Sequence, residues 1–373
     1  MSEDVLAPLT EVLFSGYIGQ GSKVDEFERL LSEQLNVPHA ITVNSGTSGL
    51  HLALRLLQQR EGQNIPGRWQ PGDEILTTPL TCTATNWAIL ANHLRLKWVD
   101  VDPTTGNVNP ADMIDRLSPT TKAIMVVHWG GHSCDLDGLK IVQQTCRERY
   151  GFTPAIIEDC AHAWGSTYKG NPIGSHGNLS VFSFQAIKSL TTGDGGLLTT
   201  TDPEMDHRAR LLRWYGLDRT STKDFRCAQD IEEWGYKFHM NDINATLGLG
   251  NLPHMPGLIA TQRENAAFYD RELAGVPGVT LTQQDHSVSE SSYWLYTIRV
   301  ERREDFTQAM NDAGILVSRV HDRNDKHTCV QEFRTASLPG TDIFCSEMIC
   351  IPCGWWVTPE DRQYIVDKIR AGW

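Results

Sequence analysis

The chain is short of positive charge. Its 33 lysines and arginines stand against 46 aspartates and glutamates, a formal net charge of −13. Without a basic excess to neutralise phosphates, a nucleic-acid partner is not expected. No uninterrupted apolar stretch reaches the length of a membrane span, and the first residues lack the basic-then-apolar pattern of an export signal. No membrane partner is therefore expected, and the expected location is the cytoplasm. Cysteine occurs nine times, an odd number without framework spacing, so free thiols are expected rather than disulfides. Cys350 and Cys353 have the C-x-x-C spacing, but no second such pair exists to complete a zinc site. They also sit in a strand-like run rather than at a helix start, so no metal or redox centre is expected. Internal repeats and low-complexity segments are missing too.

What is present is an ordinary soluble composition, 40% hydrophobic and 21% charged over 373 residues. That length suits two domains, read as residues 1–250 and 251–373. In the first, apolar runs expected to be strands (40–43, 74–78, 96–101, 122–128, 155–159) alternate with helical patterns (23–35, 84–92, 110–117, 136–150). This alternation implies an α/β domain with a mostly parallel sheet covered on both faces. Residues 3–21 read as an approach segment ending in glycines. Residues 58–72 and 217–230 read as polar loops, the second following a helix that starts at Asp202-Pro203 and runs to about Tyr215. Later residues read as a long helix (257–273) and a small α+β domain with strands at 293–300, 315–318 and 348–351, closed by a helix capped at Thr358.

The chemistry centres on residues 183–196, where Lys188 sits between two expected core strands and is followed by Gly193-Asp194-Gly195-Gly196. A lysine desolvated on a short loop loses its proton at modest cost, which a Schiff-base lysine requires. Read alone, the plainer reading is a lysine snorkelling from a strand end. Asp159 ends another expected strand and offers a carboxylate. In Asn44-Ser45-Gly46-Thr47-Ser48 a strand turns directly into a helix, whose free N–H groups and dipole favour a phosphate. One cofactor explains all three: pyridoxal phosphate, which needs a lysine, a carboxylate beside its ring nitrogen, and an anion site. Ser45, Thr81, His128, Asp159 and Lys188 all fall at or beyond strand ends, where such sheets bind ligands.

Several segments carry a resemblance that runs over nearly the whole chain. They are residues 15–21, Asn44 to Ser48, Pro79-Leu80-Thr81, Val127 to Gly131, Glu158 to His162, Ser183 to Gly196, and Gly235 to Asp242. In this order they resemble the DegT/DnrJ/EryC1/StrS family of sugar aminotransferases. The resemblance implies the fold type I of pyridoxal-phosphate-dependent transferases, with a large α/β domain and a small C-terminal α+β domain. It implies Lys188 and Asp159 as catalytic residues. Gly46, Thr47, Ser48, Cys82, His162 and Ser183 join them around the cofactor. Lys237 is expected to reach a neighbouring chain's phosphate, hence a homodimer with shared sites. Tyr17, Trp129, Arg319, His321 and Arg323 are expected on the substrate side.

The chain departs from the family at Cys82, where relatives usually carry an aromatic over the cofactor ring, with Trp87 or Trp129 as alternative ring partners. It departs again at 318–327, a cation-rich segment suited to a phosphate or diphosphate. The implied activity is transamination from glutamate, through the pyridoxamine form of the cofactor, to a keto sugar. A nucleotide-linked 4-keto-6-deoxyhexose is the first choice, within amino-sugar or polysaccharide synthesis. A 3-keto sugar, a sugar phosphate, a cyclitol, or a non-catalytic sensor on the same fold are the alternatives.

Overall fold

A computed structural model describes residues 1–58, 69–221, 225, 228–334 and 337–373. The central sheet is built from β1 (His39–Val43), β2 (Glu74–Thr77), β3 (Arg95–Trp98), β4 (Thr121–Val127) and β5 (Ala155–Asp159). After two short strands, β6 (Thr167–Tyr168) and β7 (Asn171–Pro172), it is completed by β8 (Leu179–Ser183) and β9 (Gly196–Thr200). The strand order is β1-β9-β8-β5-β4-β2-β3. Strand β9 runs antiparallel to both neighbours, whereas the pairs from β8 across to β3 are parallel. The parallel strands are near-continuous apolar runs because helices cover both faces, and each face has its own core.

The parallel strands end on one edge, and β9, being reversed, begins there. Gly196 is therefore paired with both Val43 and Ser183, the last residues of β1 and β8. Ser45, Thr81, His128, Asp159 and Lys188 all lie at or just beyond this edge.

The C-terminal part has its own sheet, formed by β10 (Val279–Leu281), β12 (Tyr296–Val300) and β13 (Met348–Ile351), with β12 in the middle. The helices Met255–Leu273 and Pro359–Ala371 contribute to its core. The last helix starts with a full capping box between Thr358 and Asp361. Two segments pair back with the N-terminal part outside its large sheet. Strand β11 (Ser289–Glu290) pairs with β6, and Arg323 bridges to Leu80.

Three expectations change. Residues 3–21 are largely helical, as a 3-10 turn Glu3–Val5 and an α-helix Leu6–Ser15. Leu6, Leu13 and Phe14 are exposed on that helix while Val12 is buried, so its apolar residues trace no single inward face. The expected strand at 315–318 shrinks to one bridge, Ser318 to Cys350, because the chain turns away at Val320, whose φ is 59°. Helix Pro203–Leu212 stops short of Tyr215, which takes a positive φ of 61°. Most of the expected loop at 58–72, and residues 222–224, 226 and 227 of the loop at 217–230, lie outside the described residues. The eight described cysteines are free, and Cys350 and Cys353 are buried.

Candidate active site

At the carboxyl edge a cavity of about 320 Å³ is lined by Ser45, Gly46, Thr47, Thr81, Cys82, Asp159, His162, Ser183, Lys188, Asp194 and His321, among others. Its floor is the turn from β1 into helix Gly46–Leu57. Ser45 caps that helix, its Oγ accepting the Ser48 N–H at 3.1 Å, and Ser45 Oγ lies 2.9 Å from Ser48 Oγ. The first turn keeps its remaining N–H groups facing outward, the arrangement that attracts an anion. Glycine is required here on steric grounds. A Cβ on Gly196 would stand 2.6 Å from Gly46 N, and one on Gly46 would stand 3.0 Å from Ser183 Cβ.

Lys188 lies on the loop between β8 and β9. The Thr192 N–H donates to Phe184 O (2.9 Å), and the Asn251 and Asn244 side chains donate to the carbonyls of Thr191 and Thr192. Burial pulls the Lys188 ammonium down to about 8, against the opposing pull of Asp159. Asp159 accepts from the Thr85 hydroxyl (2.7 Å) and from Ala161 N–H (3.0 Å). Burial nevertheless raises its carboxyl above the usual range. Among the described residues none is ion-paired with this carboxylate, and a protonated ring nitrogen would supply a cation.

His162 is held neutral, since burial and then the Lys188 charge push its pKa well down. The Gly130 N–H donates to its Nδ1 at 3.3 Å, which leaves Nε2 as the protonated, donating nitrogen. The His162 ring stacks between Trp294 (centroids 4.1 Å) and His321 (5.4 Å). On the other face of β5, Glu158 accepts from His128 Nε2 at 2.9 Å, while Cys134 N–H donates to His128 Nδ1. This fully buried pair ties the end of β5 to the end of β4. With Cys160 these side chains are also close enough for a metal ion, but the His128–Glu158 hydrogen bond already satisfies them.

Not every expected residue lines the cavity. Trp129 is buried, its Nε1–H donating to Thr297 Oγ1, and it meets His162 and His321 edge-on from behind. Arg323 is committed to Asp325 through two hydrogen bonds of 2.6 and 2.7 Å, and to Asp342. Arg319 is exposed beside Asp322 at 3.6 Å. Tyr17 is 85% exposed and lines a separate surface concavity with Gln20 and Arg219. Lys237 is exposed, and its carbonyl accepts from Asn44 Nδ2. Cys82 does line the cavity, at the start of helix Thr83–Ala91. Thr85, Trp294 and Asn324 had not been singled out. Thr85 lies one helical turn beyond Thr81, a spacing that was available as a signal, whereas the other two come from distant sequence.

The residues present fit pyridoxal phosphate. They offer a helix-start anion site cleared by two glycines, a buried carboxylate in want of a cation, and a depressed lysine in one cavity. Comparison with known proteins agrees. A model of the DegT/DnrJ/EryC1/StrS aminotransferase family matches residues 1–370. The chain is similar to AtS13 from Actinomadura melliaura, with 50% identity, a TM-score of 0.94, and coverage of 100% of this chain and 96% of that one. It is also similar to the sugar aminotransferase CalS13 from Micromonospora echinospora, with 45% identity, TM-score 0.94, and coverage of 100% and 98%. A third likeness is to the PLP-form of Spr1654 from Streptococcus pneumoniae, with 28% identity, TM-score 0.87, and coverage of 100% and 96%. The chain belongs to the DegT/DnrJ/EryC1/StrS aminotransferase family and is a pyridoxal-phosphate-dependent sugar aminotransferase.

Proposed function

We propose that the amino donor is glutamate and the acceptor a nucleotide-linked 4-keto-6-deoxyhexose, in a homodimer that works in the cytoplasm. The observation that carries the reading is the convergence of Lys188, Asp159 and the Ser45–Ser48 anion site on one cavity. Bound there, pyridoxal phosphate supplies an electron sink and carries the amino group between the two half-reactions.

The chain's own residues have separable tasks. Gly46, Thr47 and Ser48 bind the phosphate through backbone N–H groups and hydroxyls, with Ser183 beside them. Asp159 holds the ring nitrogen protonated, and Thr85 orients Asp159. His162 donates from Nε2 to the cofactor's oxygen substituent. Lys188 Nζ, neutral in a useful fraction near pH 8, takes a proton from the substrate carbon and returns one. Cys82 sits where a ring stack is usual, and makes that wall smaller.

Lys237 and Tyr17 are exposed and lie outside their own chain's cavity, which supports a second copy receiving them, with Lys237 directed to a phosphate and Tyr17 to the substrate. The exposed Leu6, Leu13, Phe14 and Ile18 give such a copy apolar surface to cover. On the substrate side, His321 lines the cavity and Arg319 lies outside it, available to a diphosphate. Arg323 supports this segment through its ion pairs.

The test is the visible spectrum of the protein with pyridoxal phosphate. Glutamate should remove the cofactor band and a nucleotide-linked 4-keto-6-deoxyhexose should restore it. Restoration by a 3-keto sugar, a sugar phosphate or a cyclitol alone would move the assignment to that class. A band that glutamate never shifts would point to another donor.

A further inference from the structure

One contact at the site belongs to none of these tasks. Lys188 Nζ lies 3.6 Å from the centroid of the Trp294 ring. Trp294 is itself fixed from several directions. Its Nε1–H donates to the carbonyl of Ile187, the residue before the lysine, at 3.0 Å. Its ring stacks on His162 with 25° between the planes. The next residue, Leu295, donates its N–H to Gly130 O at 3.1 Å.

The backbone leading to it is strained. Tyr293 has φ 50°, an uncommon conformation for an aromatic residue. It is held there by Ser291 Oγ, which accepts the Tyr293 N–H at 2.9 Å within a fully buried Ser291-Ser292 pair. This kink sends the Tyr293 ring into the small-domain core and leaves Trp294 against the lysine loop.

We propose that Trp294 is a positioning residue, whose ring face seats the Lys188 ammonium whenever the lysine is not covalently engaged and keeps its nitrogen aimed into the cavity. The proposal rests on Lys188 being the lysine that the cofactor engages. In each half-reaction of a transaminase that lysine is released and must return. A released lysine has a flexible four-carbon stem, and a fixed seat removes the search. The ring quadrupole attracts the ammonium and not the neutral amine, so the seat raises the lysine's proton affinity against burial. The other titratable groups facing Nζ are Asp159 from the end of β5, Cys82 from the start of the neighbouring helix, His162 and His321. Asp194 lines the same cavity. None of these groups is removed when Trp294 alone is replaced, although His162 loses the ring stacked on it.

The test uses the full chain stripped of cofactor. Trace acetic anhydride labels Lys188 at a series of pH values, and mass spectrometry of its peptide gives the titration midpoint. Trp294→Leu should lower that midpoint by about 0.5–1 pH unit. Trp294→Phe, which keeps a π face, should retain most of the wild-type value. If Trp294→Leu does not fold, Trp294→Met carries the same expectation. A midpoint equal to wild type in a folded Leu or Met variant overturns the proposal, as does a Phe variant no better than Leu. Labelling involves neither amino donor nor sugar, so its failure would leave the aminotransferase reading standing. A failed sugar panel would likewise leave the labelling result intact.

Discussion

The Thr85 hydroxyl donates to Asp159 Oδ2 at 2.7 Å, and its oxygen lies 2.8 Å from Thr81 Oγ1. Because Thr85 gives its proton to the carboxylate, Thr81 must donate to Thr85. A relay of two buried hydroxyls thus orients the Asp159 carboxylate, which we propose pairs with the ring nitrogen. Thr85→Val should weaken cofactor retention about 10-fold, in line with a hydrogen bond to a charged group. Spectrophotometric titration with pyridoxal phosphate measures it, and unchanged retention would remove Thr85 from the site.

Asp159→Asn keeps the shape but loses the charge proposed to hold the ring nitrogen protonated. The half-reaction with the amino donor should slow by about 10²–10⁴-fold, while the folded state survives. Stopped-flow decay of the cofactor band reads the rate, and circular dichroism checks the fold. Lys188→Ala should abolish the band's formation at any pH.

Burial lowers the Lys188 ammonium to about 8, so capture of the cofactor's aldehyde should depend on pH. The neutral amine is the nucleophile, hence the capture rate by cofactor-free protein rises as pH increases and levels off above about 8. A profile still rising steeply towards the ordinary lysine value would show that the cavity does not desolvate Lys188.

Gly196→Ala places a Cβ 2.6 Å from Gly46 N, with backbone rather than a flexible side chain as its neighbour. A loss of about 1–3 kcal/mol is expected in thermal or denaturant unfolding. Weaker cofactor binding should accompany it, because the displaced atoms belong to the anion site.

Arg323→Ala leaves Asp325, which is 1% exposed, without its bidentate partner. Stability should fall by about 1–3 kcal/mol. If Arg323 serves only its ion pairs, KM for the sugar changes little at temperatures where the variant is folded. A large KM rise in a fully stable variant would give Arg323 a direct part in substrate binding.

Much of the frame was legible in the sequence because it is local. Strands β1, β5 and β8, the turn at Ser45 and the lysine loop announce themselves through apolar runs followed by small and hydroxyl residues. What escaped has a non-local cause. Trp294 and Asn324 meet the site from the C-terminal part, where no pattern near them speaks of Lys188 or Thr81. Arg323 read as a substrate cation, because its carboxylate partners lie two and nineteen residues on and only the folded loop aims them at it. The N-terminal helix was hidden because several of its apolar residues face outward.

The tether between Trp294 and Ile187 spans 107 residues of sequence. On the ribosome the lysine loop therefore emerges long before the indole that closes over it, and the same delay holds for Asn324, which bonds to the Thr81 carbonyl. A nascent chain can form β8 and β9 while Lys188 still lacks both the Trp294 ring face and His321, which lines its cavity. The surroundings of Lys188 are therefore complete only near the end of synthesis.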